Sequence, residues 1–168
     1  MNRTKGGIPG FRKERVVTDF MHTAHLGVFQ HVCGSALVEL CQTYAFGPGA
    51  LKLQLAEAWR QFKAWCARNS VNCSMECFTP DRCNLNSKSK VVYLKSKAFN
   101  CRVLLSWLQM LCSSRLDTDH AKLRSTCLYH LCTYQHLQDL HGEFLEADEA
   151  SLMYSHGYSF LFAYEPQC

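Results

Sequence analysis

Three polar side chains near the start of the chain are of types that bind metals or move protons. Asp19, His22 and His25 follow one another at intervals of three residues. On a helix these positions drift off one face, so a metal site with all three ligands would need a distorted backbone. The simpler alternative is that Asp19 caps the N-terminus of a helix and His22 lies in its first turn. The residues alone leave both alternatives open.

A second group with metal-ligand chemistry consists of three of the eleven cysteines, Cys73, Cys77 and Cys83. Structural zinc needs four thiolate or imidazole ligands, commonly as two close pairs, and no second pair or histidine lies near this group in sequence. The three residues are therefore weak metal candidates. The odd number of cysteines, scattered over apolar helix faces, argues against a disulfide framework, and none has a recognisable nucleophile setting.

The elements that position these residues are predicted to be mainly helical. A β-branched run at 16–18 predicts a strand that leads into a helix, and this strand-helix motif covers 15–46 before Gly47-Pro48-Gly49 ends it. Residues 91–94 are predicted to be either a second short extended segment or the entry to a helix. The turn-rich stretch 70–89 is predicted to pack loosely. Apolar spacing predicts four more helices, over about 51–69, over about 99–114, after an N-cap at Asp117 or Thr118, and over about 147–164.

Length and composition fit one domain. The 168 residues are 48% hydrophobic and 19% charged, which is typical of globular proteins. No apolar run approaches the ~20 residues that span a bilayer, and no apolar stretch follows the N-terminal charges as in a signal peptide. We therefore expect a soluble, intracellular protein with no membrane partner and no identified small-molecule substrate. Its predicted parts are a flexible lead-in at 1–14 and a single helical domain at 15–168.

The net charge of +4 is unevenly distributed along the chain. Residues 1–15 carry five basic side chains against one acid, and residues 81–104 carry six against one. Residues 137–168 carry six acids and no lysine or arginine. A nucleic-acid surface with a shielding acidic tail would give this pattern, and Lys95, Lys97 and Arg102 are then the candidate phosphate contacts. Solvated surface charge is the alternative and would give the same pattern.

The segment Asp19-Phe20-Met21-His22, followed by Leu26-Gly27-Val28, resembles the Asp-x-x-His signature of eukaryotic cut-and-paste transposases of the CACTA and hAT-like group. A lysine-rich entry and helix at 94–105 is similar to a segment of the same proteins. The resemblance implies a partial RNase H-like core, with 47–168 corresponding to its helical insertion. It also implies that His22 bonds to Asp19 and fixes the turn between strand and helix.

Active members of this family hold two Mg²⁺ or Mn²⁺ ions with two aspartates and one glutamate. The chain has no aspartate before Asp19, so this carboxylate set is incomplete, and no motif selects Glu143, Glu146 or Glu149 as the glutamate. We therefore expect a transposase-derived fragment that is inactive alone and needs no cofactor. Its expected partners are DNA, a second copy or the missing half of a transposase, and its location would be nuclear. The alternative is a helical binding or scaffold module unrelated to transposition.

Overall fold

The computed structural model describes residues 21–86 and 91–141. Within these ranges the chain is mainly helical, as predicted, and no β-strand is formed. A π-helix continues directly into the first α-helix, and three further α-helices follow at the predicted places. The helices are the π-helix Met21–Val28, α1 Phe29–Gln42, α2 Leu51–Arg68, α3 Ala98–Ser113 and α4 Asp119–His141.

Helix α3 lies at the centre of the described structure. It packs against α4, α1 and the π-helix, and α2 contacts both α1 and α3. The core between α2 and α3 is aromatic: the ring centroid of Phe62 lies 5.3 Å from that of Trp107 and 5.6 Å from that of Phe78. Each such buried aromatic side chain contributes roughly 1.5–3 kcal/mol to folding. This cluster is therefore a main source of stability for the helix packing.

The first two helices end in the same hydrogen-bonded cap. Helix α1 stops at Gln42, before the predicted end at residue 46, because the Ala45 N–H donates to the Leu40 carbonyl at 2.9 Å. This bond closes a Schellman motif, which places Tyr44 in the left-handed region at φ 56°. Ser70 takes the same position after α2, at φ 54°. In both caps a residue other than glycine adopts the left-handed conformation.

Residues 91–94, which the sequence leaves open as a short extended segment or the entry to a helix, form neither a β-strand nor helical turns, since α3 begins only at Ala98. Residues 91–97, here called the strap, lie along α1, where the Leu94 N–H donates to the Gln30 carbonyl at 2.9 Å. The strap comes so close that a Cβ atom built on Gly34 would lie 2.7 Å from backbone atoms of Tyr93 and Leu94. A segment that bonds to a helix in this way has no neighbouring strand, so no sheet forms here.

The stretch after α2 packs tightly, so the prediction of a loose loop at 70–89 is wrong for its described part. Met75, Phe78 and Cys83 are all buried in the core. The buried Asn100 side chain of α3 accepts a hydrogen bond from the Ser74 N–H at 3.1 Å and so holds this stretch in place. The many turn-forming residues of this stretch therefore lie beside a few buried apolar residues, and its overall composition does not indicate that these are buried.

The start of α4 agrees with one of the two predicted caps. The Thr118 hydroxyl accepts a hydrogen bond from the Ala121 N–H at 3.0 Å, as an N-cap residue does. The helix is described as far as His141. The predicted strand at 16–18 and the predicted helix at 147–164 lie outside the described residues.

Candidate functional site

Four polar side chains from three helices form a hydrogen-bonded network beside the predicted motif. The His25 Nε2–H of the π-helix donates to Gln135 Oε1 of α4. Gln135 Nε2 donates to Asp139 Oδ1 at 2.7 Å, and Arg102 Nη2 of α3 pairs with Asp139 Oδ2 at 2.8 Å. The network therefore fixes the π-helix against α3 and α4 through specific contacts.

His25 is the only ionisable member of this network that is buried. Burial lowers the pKa of its imidazole below the ordinary value of 6.5, and the charge of Arg102 acts in the same direction. The hydrogen bond to Gln135 and the charge of Asp139 oppose this shift. The imidazole also meets the Phe29 ring edge-on at a centroid distance of 5.0 Å. The site thus holds a neutral histidine that donates through Nε2.

Of the predicted motif pair, Asp19 lies outside the described residues. His22 lies in the π-helix, and only its backbone belongs to the described part. His25, the third member of the sequence pattern, is bonded to an amide and not to a metal ligand set. Single-turn π-bulges within helices often occur at functional sites, and here an eight-residue π-helix begins at Met21, within the motif.

Two of the three predicted phosphate contacts are ion-paired. Lys95 Nζ lies 3.1 Å from Asp81 Oδ1, and Arg102 is bound to Asp139 in the network. Lys97 is exposed and has no ion-pair partner among the described residues, and its carbonyl accepts a backbone bond from the first turn of α3. Only Lys97 of the three therefore presents an uncompensated charge.

The remaining uncompensated charges are mostly on α2. Six of the seven acidic side chains in the described part are paired with a lysine or arginine. On α2, Lys52 and Arg68 are exposed and have no ion-pair partner in that part, while Lys63 Nζ lies 5.7 Å above the Trp59 ring. The sequence signal for this basic helix was available, because α2 has four basic residues and a single acid.

The three cysteines proposed as metal candidates have separate roles. Cys83 is fully buried, and burial raises the pKa of its thiol to about 12. The Cys73 thiol donates to Asn100 Oδ1 at 3.4 Å, and Cys77 is half-buried. Within residues 21–86 and 91–141, no group of three histidine, cysteine, aspartate or glutamate side chains is arranged to hold a metal ion.

Other cysteines of the described part act as small core residues. Burial raises the thiol pKa to about 11 for Cys41, Cys101 and Cys127, and to about 12 for Cys132. A thiol with such a pKa stays protonated at neutral pH and is a poor nucleophile. These four cysteines therefore pack rather than react.

A groove of about 680 Å³ lies between the C-terminal halves of α2 and α3. Its apolar lining includes Ala64 and Ala67, both exposed, together with Met110, which is 44% exposed. Arg60 and Arg68 also line it. This surface combines apolar contact area with positive charge, which no sequence motif indicated.

Comparison with models of known protein families gave no match, and neither did comparisons with curated proteins and with solved structures. The helices of the described part are also too short or too polar for any of them to cross a membrane.

Proposed function

We propose that the chain is a transposase-derived helical module that is catalytically inactive by itself and binds DNA through unpaired basic side chains. The helices that follow the Asp19-x-x-His22 motif support this proposal, because a helical insertion is what the resemblance implies after that motif. In the proposal the motif marks the edge of an RNase H-like core, and the chain works in the nucleus with a second copy or with the other half of a transposase.

The pairing of the described carboxylates supports the inactive state. Phosphoryl transfer by two metal ions needs carboxylates that converge on one point. Here Glu57, Asp81 and Asp139 each bond to a neighbouring lysine or arginine, and they lie on different elements. The proposal therefore contains no catalytic step. Cleavage of supercoiled plasmid DNA by the purified chain in Mg²⁺ or Mn²⁺ would contradict it.

The observation that carries DNA binding is the imbalance of paired and unpaired charge. Lys52, Lys63, Arg68 and Lys97 keep their charges at the surface, whereas only Asp117 among the described acids lacks a basic partner. Unpaired lysine and arginine side chains attract phosphates and release counterions when they bind them. Three of the four lie on α2, so we place the DNA-binding surface there.

The test compares two lysines that lie two residues apart. Binding of a labelled 20-base-pair duplex is followed by fluorescence anisotropy at several salt concentrations. We expect Lys97→Gln to reduce the slope of log K against log salt by about 0.9, the value for one lost phosphate contact. Lys95→Gln is the matched control, because Asp81 already neutralises Lys95.

A larger change is expected on α2. The triple variant Lys52→Gln, Lys63→Gln and Arg68→Gln should reduce the same slope by about 2.7 if all three contact phosphates. Binding that does not change with salt, or equal effects of Lys95→Gln and Lys97→Gln, would contradict the proposal.

A second candidate function is a helical binding or scaffold module unrelated to transposition. The groove between α2 and α3 supports it, because exposed Ala64, Ala67 and Met110 offer an apolar docking surface. Protein association through this groove would be weakened by Met110→Asp and would depend little on salt. DNA binding would be absent in that case, so the anisotropy titration separates the two functions.

A further inference from the structure

We propose that the groove between α2 and α3 binds the chain's own acidic segment, residues 143–165. This inference does not rest on DNA binding, but it shares Arg68 with the proposed DNA-binding surface. It starts from the groove itself, where Ala64, Ala67 and Met110 form an apolar surface that no described residue covers. Arg68 also lines the groove and has no ion-pair partner in the described part of the chain. An occupant that fits both features combines apolar side chains with carboxylates.

The sequence after α4 has this composition. Residues 143–165 carry five acids and no lysine or arginine. Apolar side chains accompany the acids in the sequence. Leu152 and Met153, for example, lie within five residues of Asp148 and Glu149. The described part of the chain has the opposite balance, with eleven basic against seven acidic side chains. The charges of the segment and of the groove lining are therefore complementary, and such complementarity sets which surfaces meet.

The chain length after α4 is sufficient for this contact. Asp139 bonds to Arg102, so the end of α4 lies beside the first turns of α3. Met110 lies eight residues after Arg102 on α3, which is about 12 Å along the helix axis at 1.5 Å per residue. The path of the chain around α3 to the groove adds about 10 Å, the width of a helix. An extended chain covers about 22 Å in roughly seven residues. Starting from His141, residues from about 148 onward can therefore reach the groove.

The test uses the full-length chain without DNA. Hydrogen-deuterium exchange is measured on peptides from 142–165 in the wild type, in Arg68→Glu and in Lys52→Glu. We expect Arg68→Glu to speed exchange of the segment at least tenfold. Lys52→Glu is the matched control, because Lys52 is also an exposed, unpaired residue of α2 but does not line the groove. Unchanged exchange of α1 peptides checks that each variant is folded.

A charge exchange tests the specific partner. Combining Arg68→Glu with Asp148→Lys and Glu149→Lys should restore slow exchange of the segment, because the charges again have opposite signs. Equal exchange in wild type and Arg68→Glu, or equal effects of Arg68→Glu and Lys52→Glu, would overturn the proposal. Protection of the segment that rises with protein concentration would also overturn it, since a second copy would then occupy the groove.

Discussion

Replacing Gly34 by alanine tests how closely the strap packs on α1. The new Cβ would lie 2.7 Å from the backbone of Tyr93 and Leu94, and backbone atoms cannot turn away as a flexible side chain can. Inserting a carbon into such a packed site costs about 1–3 kcal/mol. Displacing the strap would also weaken the bond from Leu94 N–H to the Gln30 carbonyl, which is worth about 1 kcal/mol.

An opposing effect comes from helix propensity, because alanine in a helix interior is favoured over glycine by about 0.8–1.0 kcal/mol. The packing losses exceed this gain, so Gly34→Ala should lower the free energy of unfolding by about 1–3 kcal/mol. Urea unfolding followed by tryptophan fluorescence measures the change. Ala64→Gly, at an exposed position of α2, measures the propensity difference without a clash. The packing argument is refuted if Gly34→Ala raises stability by as much as Ala64→Gly lowers it.

Two further predictions concern a cap and a buried histidine. Ser70→Gly should raise the free energy of unfolding by about 0.5–1 kcal/mol, because glycine adopts the left-handed conformation at φ 54° without the steric cost of a side chain. Ser106→Gly, within α3, is the control and should lower the free energy of unfolding. Chemical denaturation measures both changes. Burial lowers the pKa of His25 in the folded protein below 6.5, the ordinary value that applies to the unfolded chain. The stabilisation from neutral His25 is therefore complete above pH 6.5 and should be lost as the pH falls from 6.5 toward the folded pKa. Melting temperatures of wild type and His25→Phe at pH 5 to 8 would disprove this if the two curves stayed parallel.

The positions of α1 to α4 could be predicted because apolar spacing and end signals agree in each of them. Thr118 combines a capping hydroxyl with the start of an apolar pattern, and the structure uses it as the cap. Which residues of each apolar pattern are buried was less predictable. Phe99 and Met110 keep the apolar spacing of α3 but are 54% and 44% exposed. A helix pattern fixes which residues share a face, whereas the neighbouring helices decide how wide the buried face is.

The strap could not be predicted, because its partner is a helix far away in the sequence. Val91-Val92-Tyr93-Leu94 has the β-branched and aromatic composition of a strand, although no strand is formed there. Whether such a segment joins a sheet depends on what lies beside it. Here the strap can lie close to α1 because Gly34 has no side chain. A single glycine inside a helical pattern does not predict which distant segment will pack against it.

The charges illustrate the same limit and bear directly on function. Lys95 and Arg102 lie in a basic stretch of the sequence, which makes them candidate phosphate contacts. In the structure, however, Arg102 pairs with Asp139, 37 residues later, and Lys95 pairs with Asp81, 14 residues earlier. Counting charges along the sequence cannot detect such pairs. Once these two pairs are excluded, the positive charge lies on α2 and at Lys97, where four basic side chains have no ion-pair partner among the described residues. A phosphate-binding surface on this protein is therefore best sought on α2. Substituting basic residues there should change the salt dependence of DNA binding more than substituting Lys95.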